Sequence, residues 1–169
     1  MATDPTDVVQ KAFGHRLRVR VCGLCFSGDD LLLVRHRGLG PQGYLYAPPG
    51  GGMHHGERAE EALAREIHEE TGLHVSVGNF LFVYEYRSLP LHALELFFMV
   101  DQVGGHLRVG SDPEVGEGEQ LIEDVLFMTP EEIARQRGGQ MHDMINRCQS
   151  PKELLSRRGY FEFENKKRN

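Results

Sequence analysis

Residues 51–73 read GGMHHGERAEEALAREIHEETGL: a glycine-rich loop leads into a helix that carries Glu66, Glu69 and Glu70 within one turn. At about 100° per residue, the three carboxylates fall within an arc of roughly 100°. Like charges in this arrangement destabilise an isolated helix by roughly a few tenths of a kcal/mol per pair. A hard divalent cation bound between them would offset that repulsion. The stretch therefore predicts a metal-binding helix around which the rest of the chain is arranged.

The boundaries of this helix are marked in the sequence. Glu57 stands near its start, where the helix dipole favours a carboxylate. Gly72 supplies the left-handed residue that ends many helices. We therefore expect a helix over residues 58–71. The preceding loop has consecutive glycines at 50–52, which let a ligand approach the main chain.

Strand patterns lie on both sides of the helix. Their apolar residues either alternate with polar ones or run together, as in half-buried or fully buried strands. These patterns cover residues 17–26, 31–35, 74–77, 80–86, 94–101, 107–109 and 121–128. Thr129, Pro130 and Glu132 mark the start of another helix, and a short one is expected over residues 141–148.

Length, charge and hydropathy limit the possible functions. The 169 residues suffice for one domain, expected over 1–169 with a loose arm at 1–14 and a disordered tail at 164–169. The formal net charge of −6 argues against general binding to nucleic acid, because counterion release needs a basic surface. No apolar run approaches about 18 residues. We therefore expect no membrane contact and a cytoplasmic location.

A basic cluster, Arg35, His36 and Arg37, follows the second predicted strand. If the end of that strand faces the glutamates, the cluster offers cations for phosphate oxygens. As a solvated strand end it needs no function, and the two interpretations have equal weight. Tyr46 can stack on a base or ribose, although aromatic residues on strands more often belong to the core. The predicted substrate-binding residues are Arg35, Arg37, Tyr46, Gly51 and Gly52.

The opening stretch resembles the signature of the Nudix hydrolases over its whole length. The family pattern is a glycine, five residues, a glutamate, seven residues, and then Arg-Glu-aliphatic-x-Glu-Glu-x-Gly-aliphatic. Every specified position is matched here, by Gly51, Glu57, Arg65, Glu66, Ile67, Glu69, Glu70, Gly72 and Leu73. The resemblance implies an α/β protein with the Nudix fold, in which a mixed β-sheet is sandwiched between α-helices.

The resemblance also implies a reaction. Nudix enzymes use Mg²⁺ or Mn²⁺ to hydrolyse the pyrophosphate linkage of a nucleoside diphosphate joined to another group. By position, the implied metal ligands are Glu66, Glu69, Glu70 and the carbonyl of Gly50. Glu57 and Arg65 are implied to hold those carboxylates in place. Family members are often dimers, so a homodimer is among the expectations.

The general base and the substrate stay open at this point. The base can lie inside the signature, as Glu66 or Glu69, or in the acidic loop at residues 110–119, which holds Glu114, Glu117 and Glu119. Pro90 follows the signature at about the distance at which the family's ADP-ribose hydrolases carry a proline, which favours ADP-ribose or a nucleotide sugar. The alternatives are a house-cleaning nucleoside triphosphate pyrophosphatase, a dinucleoside polyphosphate hydrolase and, with less support, a non-catalytic nucleotide-sensing module.

Overall fold

The computed structural model describes residues 4–116 and 118–163. Its helices, in chain order, are α1 (Pro5–Phe13), α2 (Ala59–Thr71), α3 (Pro130–Arg135), α4 (Asp143–Asn146) and a 3₁₀ helix (Pro151–Ser156). Its strands are β1 (Arg16–Ser27), β2 (Asp30–Arg37), β3 (Tyr44–Ala47), β4 (Gly50–Gly52), β5 (Leu73–Ser88), β6 (Leu91–Gly105), β7 (Ile122–Met128) and β8 (Gly159–Glu162). The predicted disordered tail at 164–169 lies outside the described residues.

The described strands form a mixed sheet of eight strands, which confirms the predicted fold class. Six of them follow the order β3-β2-β1-β6-β5-β8, while β4 pairs with β1 and β7 pairs with β2. The pairs β1–β6 and β5–β8 are parallel, and the others are antiparallel. The parallel β1–β6 pair matters for function because it places Arg20 of β1 directly beside Glu95 of β6.

Alternation along β1 divides the core between the two faces of the sheet. Val21 and Cys25 pack with Leu63 and Ile67 of α2, whereas Cys22 and Leu24 pack on the other side with residues of α4 and the 3₁₀ helix. Helices therefore cover both faces, and α2 is held against the sheet by its own apolar stripe.

The helix α2 follows the predicted boundaries closely. It runs over Ala59–Thr71 and ends at Gly72, which adopts φ 73°. Its buried face includes Glu66 and Glu70 beside the apolar residues. The next segment does not form the strand predicted over 107–109. Instead, the amides of Arg108 and Gly110 donate to the carbonyls of Thr71 and Glu70, so this segment caps the C-terminal end of α2.

Two further predictions differ from the structure. The separate strands predicted over 74–77, 80–86 and 94–101 belong to one long hairpin, β5 and β6, whose turn is Leu89 and Pro90. The prediction of a loose arm at 1–14 is wrong over Pro5–Phe13, which form α1. Asp4 caps this helix by accepting from the amide of Thr6, and Pro5 occupies its first turn. No helix in the described part of the chain has the length and apolar character needed to cross a membrane.

Candidate active site

The three carboxylates of α2 occupy different environments. Glu66 and Glu70 are each only 3% exposed, because they face the sheet. The side chain of Glu69 is 27% exposed and lies at the rim. The sequence predicted that all three share one face, and the structure shows that two of them point inward.

Glu66 lies against the main chain of Gly51. Burial raises its pKa to about 7, and the neighbouring charges of Glu70 and Glu69 add to the rise, while the hydrogen bond from Arg65 opposes it. That bond joins Arg65 Nη1 to Glu66 Oε1 at 2.8 Å. The raised pKa shows that the positive charge present among the described residues does not fully stabilise the ionised carboxylate.

Glu70 is fixed from two sides. Its Oε2 atom accepts a hydrogen bond of 2.9 Å from the backbone amide of Gly50. Its Oε1 atom lies 3.7 Å from Nε2 of His36 at the end of β2. The loop before the helix and the strand β2 thus both locate this carboxylate.

Arg65 connects the acidic residues to one another. It donates to both oxygens of Glu57 at 2.7 and 3.0 Å, to Glu66, to Glu69 at 3.1 Å and to the carbonyl of Gly52 at 3.2 Å. The hydrogen bonds from Arg65 lower the pKa of Glu57 to about 2, against a smaller opposing effect of burial. These are the contacts that the predicted role of Glu57 and Arg65, to hold the carboxylates in place, requires.

The glycines of β4 bring the main chain close to the carboxylates. Gly50 has φ 154°, and a Cβ there would lie 1.9 Å from the carbonyl oxygen of Val21. A Cβ on Gly51 would lie 2.3 Å from the carboxyl carbon of Glu66, and one on Gly52 would lie 2.5 Å from Oε1 of Glu114. Two acidic side chains therefore approach the backbone where any larger residue would displace them.

A cavity of about 450 Å³ opens beside this cluster. Glu66, Glu70, Gly50 and Gly51 form one side of it. The other walls include Val9 and Phe13 of α1, Tyr84 and Tyr86 of β5, and Phe163 after β8. This volume is within the range of small-molecule binding sites. The helix α1 thus contributes to the cavity.

Sequence analysis missed the polar wall of the cavity, apart from Glu114. It contains Arg18 and Arg20 of β1, Glu95 of β6, Glu114 and His142. Arg20 pairs with Glu95 at 2.7 Å, and Arg18 pairs with Glu114 at 2.6 Å. The alternating arginines of β1 were a usable signal, because a row of cations on one face of a central strand needs anionic partners.

Four predicted substrate-binding residues do not line this cavity in the described structure, namely Arg35, Arg37, Tyr46 and Gly52, whereas Gly51 does. Arg35 lies 4.3 Å from the ring centroid of Tyr44 and 3.4 Å from Glu123. Tyr46 belongs to the core. Alternation along β2 explains this result, since His36 faces Glu70 and its two neighbours take the opposite side. Of the basic cluster in the described structure, His36 lines the cavity and the two arginines do not.

Among its described residues, the acidic loop contributes one of its candidate glutamates to the cavity. Glu119 is not among the described residues that line the cavity, and Glu117 lies outside the described residues. Glu114, from the same loop, does line it. Pro90 lies in the turn between β5 and β6, where its carbonyl accepts from the amide of His15 at 2.9 Å.

The donor set suits a hard divalent cation. Carboxylates and a backbone carbonyl are the ligands that Mg²⁺ and Mn²⁺ prefer. Among the residues described here, no group of three or more His, Cys, Asp or Glu side chains is already arranged as a metal site. The hydrogen bonds from Arg65 occupy oxygens of Glu66 and Glu69 instead.

Comparison with known proteins agrees with this geometry. The NUDIX domain model matches residues 14–147. An ADP-ribose pyrophosphatase of Methanocaldococcus jannaschii is 37% identical over 101 residues, and the match spans 59% of this chain and 59% of that relative.

Solved structures show the same fold at low identity. A NUDIX hydrolase from Nitrosomonas europaea has a TM-score of 0.68 at 19% identity, covering 85% of this chain and 93% of that one. An ADP-ribose pyrophosphatase from Streptococcus suis has a TM-score of 0.57 at 15% identity, covering 85% and 98%. At these identities the likeness is one of fold.

Proposed function

The chain belongs to the NUDIX family, and on that premise we propose that it is a Mg²⁺- or Mn²⁺-dependent hydrolase that cleaves the diphosphate linkage of a nucleoside diphosphate joined to another group. One observation carries the proposal. Two buried carboxylates, Glu66 and Glu70, meet the glycine backbone of residues 50 and 51 at the side of a cavity large enough for a nucleotide.

The proposed metal ligands are Glu66, Glu69, Glu70 and the carbonyl of Gly50. A divalent cation held there would neutralise charge on the diphosphate and activate a water molecule, which is most of what phosphoryl transfer requires. The protein's own contribution is positioning. Arg65 and Glu57 keep the carboxylates oriented. The amide of Gly50 donates to Glu70 and its carbonyl accepts from Arg20, which fixes the main chain at this residue.

Replacing Gly51 with alanine tests the close approach of Glu66. The added methyl group would overlap the carboxylate, which lies at the end of a flexible side chain and can move away. We expect the fold to be retained and the affinity for Mn²⁺ to fall by about 10- to 100-fold, as for other disturbances around metal ligands. Isothermal titration calorimetry measures this affinity. The control is Gly104→Ala, where the nearest atoms lie 3.9 Å from the new Cβ and the affinity should not change.

For the general base we propose Glu114 in place of its loop neighbours Glu117 and Glu119. Glu114 lines the cavity, approaches Gly52 and is held by Arg18. Glu66 and Glu69 are the competing candidates from within the signature. Both are already committed to the proposed metal, and Glu69 is not among the described residues that line the cavity.

Glu114→Gln should reduce kcat by about 100-fold or more, the usual range for loss of a general base, with little change in KM. The same substitution at Glu119 should leave kcat near the wild-type value, because this residue does not line the cavity. Steady-state kinetics across pH would show the acidic limb of the kcat profile disappear in the first variant alone. If Glu114→Gln kept the wild-type kcat, Glu114 would not be the general base, and Glu66 or Glu69 would be the candidates.

ADP-ribose or a nucleotide sugar is the proposed substrate. The support is the name of the archaeal relative, which is 37% identical to this chain over the matched 101 residues. The cavity also provides aromatic surface, including Tyr86 and Phe163, on which a base can pack. We also propose a cytoplasmic location, from the sequence, and a homodimer, from the resemblance to the family.

Parallel assays decide among the substrates. ADP-ribose, a nucleotide sugar, a dinucleoside tetraphosphate and an oxidised deoxynucleoside triphosphate should be tested with Mg²⁺, with Mn²⁺ and with a chelator. We expect the highest kcat/KM for ADP-ribose or the nucleotide sugar and no turnover with the chelator. Preference for the triphosphate would make the protein a house-cleaning pyrophosphatase. Binding without hydrolysis under every condition would identify a nucleotide-sensing module and overturn the proposal.

A further inference from the structure

A chain of hydrogen bonds leads from the cavity wall to the proposed metal ligands. It begins where β1 and β6 run parallel, because Arg20 and Glu95 stand opposite each other in that register. Arg20 Nη1 donates to Glu95 Oε1 at 2.7 Å. Glu95 is only 5% exposed, so this is a largely desolvated pair.

The second oxygen of Glu95 is held by His142. The distance from His142 Nε2 to Glu95 Oε2 is 2.8 Å. Nδ1 of the same ring accepts from the backbone amide of Met144 at 3.2 Å, since His142 is the N-cap of α4. Nδ1 therefore carries no proton, and Nε2 is the donor to Glu95. The rings of Tyr84 and Phe97 pack edge-on against the imidazole and prevent it from turning.

The second terminal nitrogen of the Arg20 guanidinium reaches the first glycine of β4. Its Nη2 atom donates to the carbonyl of Gly50 at 3.1 Å, and the amide of Gly50 donates to Glu70. Three elements distant in sequence are thereby joined: the start of α4, the central strands and the loop before α2. The Gly50 carbonyl and the Glu70 carboxylate are both among the proposed metal ligands.

Stability alone does not account for this arrangement. A buried ion pair is usually no more stabilising than apolar residues of similar volume, because desolvation offsets the attraction. In the described structure, Nε of Arg20 is buried without a hydrogen-bond partner, which adds a cost. Burial by itself would raise the pKa of Glu95, but the hydrogen bond from His142 and the charge of Arg20 outweigh it and lower that pKa. Glu95 therefore stays ionised and keeps Arg20 in place.

We propose that Arg20, Glu95 and His142 are positioning residues for the metal site: they set the direction of the Gly50 carbonyl and, through the Gly50 amide, the position of Glu70. The inference rests on the proposed function, because it gives these three residues their role through the metal ligands. Metal affinity would then depend on these three residues of the polar wall as well as on the signature helix.

The test measures Mn²⁺ binding to the full chain in the absence of nucleotide, by isothermal titration calorimetry and by electron paramagnetic resonance of the bound ion. The decisive variant is His142→Asn. Asparagine is a good N-cap and can still accept from the amide of Met144, but it lacks the donor that reaches Glu95. Glu95→Gln is the second variant, which removes the charge that holds Arg20. Both should weaken Mn²⁺ binding by about 10- to 100-fold, the usual effect of residues that orient metal ligands.

A matched control is available on the neighbouring strand. Glu85 pairs with His92 at 2.7 Å, also as a carboxylate and an imidazole, but neither residue contacts Arg20 or Gly50 in the described structure. Glu85→Gln changes the net charge as Glu95→Gln does. It should leave Mn²⁺ affinity within about twofold of wild type, a smaller change than that expected for residues that orient metal ligands. Circular dichroism establishes that each variant is folded.

The outcomes separate the inference from the function. If the wild-type protein does not bind Mn²⁺, both the proposed function and the inference fail. If it binds Mn²⁺ and the two variants bind equally well, only the inference is overturned. Equal weakening by Glu85→Gln would show a nonspecific charge effect and would also overturn it. Unfolding of both variants would assign the network to stability and reject the positioning role.

Discussion

Glu70→Gln should abolish turnover while the protein remains folded. The substitution keeps the size of the side chain, and the amide oxygen can still accept from Gly50, so packing is preserved. The charge that would bind the cation is lost. Because residues that only orient metal ligands contribute about 10- to 100-fold, loss of a ligand itself should reduce kcat/KM by more than about 100-fold. Glu66→Gln should behave in the same way, since Glu66 is equally buried on the same face.

The measurement is steady-state hydrolysis at saturating Mg²⁺, with thermal unfolding followed in parallel. Glu60→Gln is the matched control: Glu60 lies on the same helix, but its side chain is 58% exposed and pairs with Arg58. This control should retain full activity. Wild-type turnover by Glu70→Gln would refute the assignment of the metal site, whatever the behaviour of the other glutamates.

Arg65→Met should lower both stability and activity. Arg65 is the common donor to Glu57, Glu66 and Glu69, and methionine fills similar space without charge. Hydrogen bonds to charged groups contribute about 1.5 to 3 kcal/mol each in favourable cases, and the side chain is 25% exposed, so we expect a loss of about 2 to 3 kcal/mol in unfolding free energy. The activity should fall because the carboxylates are no longer oriented.

Denaturant unfolding with and without Mg²⁺ gives a second readout. A cation bound among the carboxylates replaces part of the missing positive charge, so saturating Mg²⁺ should restore some of the lost stability. Arg58→Met is the control, because the Arg58 side chain is 73% exposed and should contribute little. An unchanged unfolding free energy for Arg65→Met without metal would contradict the role of Arg65 as the residue that connects the acidic groups.

The signature helix was predictable because its determinants are local. Its start, its end at Gly72 and the shared face of Glu66, Glu69 and Glu70 follow from spacing along a single helix. The same reasoning failed for α1, whose nine residues have a short apolar face that packs on distant residues such as Val115 and Leu121.

The polar wall of the cavity depends on strand register, which the sequence does not specify locally. Arg20 and Glu95 are 75 positions apart and become neighbours only through the parallel pairing of β1 and β6. The side on which Arg35, His36 and Arg37 emerge likewise depends on how β2 pairs with β3 and β7, where the ladder shifts between Arg35 and His36. A one-residue change of register exchanges the residues on the two faces.

The walls of the cavity have a consequence for how such a protein can evolve. Val9, Phe13 and Phe163 line the cavity, yet all three lie outside residues 14–147, the part that matches the family model. Part of the cavity wall therefore lies outside the stretch of chain that carries the carboxylates. Mutational libraries confined to residues 5–13 and 159–163 can explore new ligand preferences while the acidic helix is inherited unchanged.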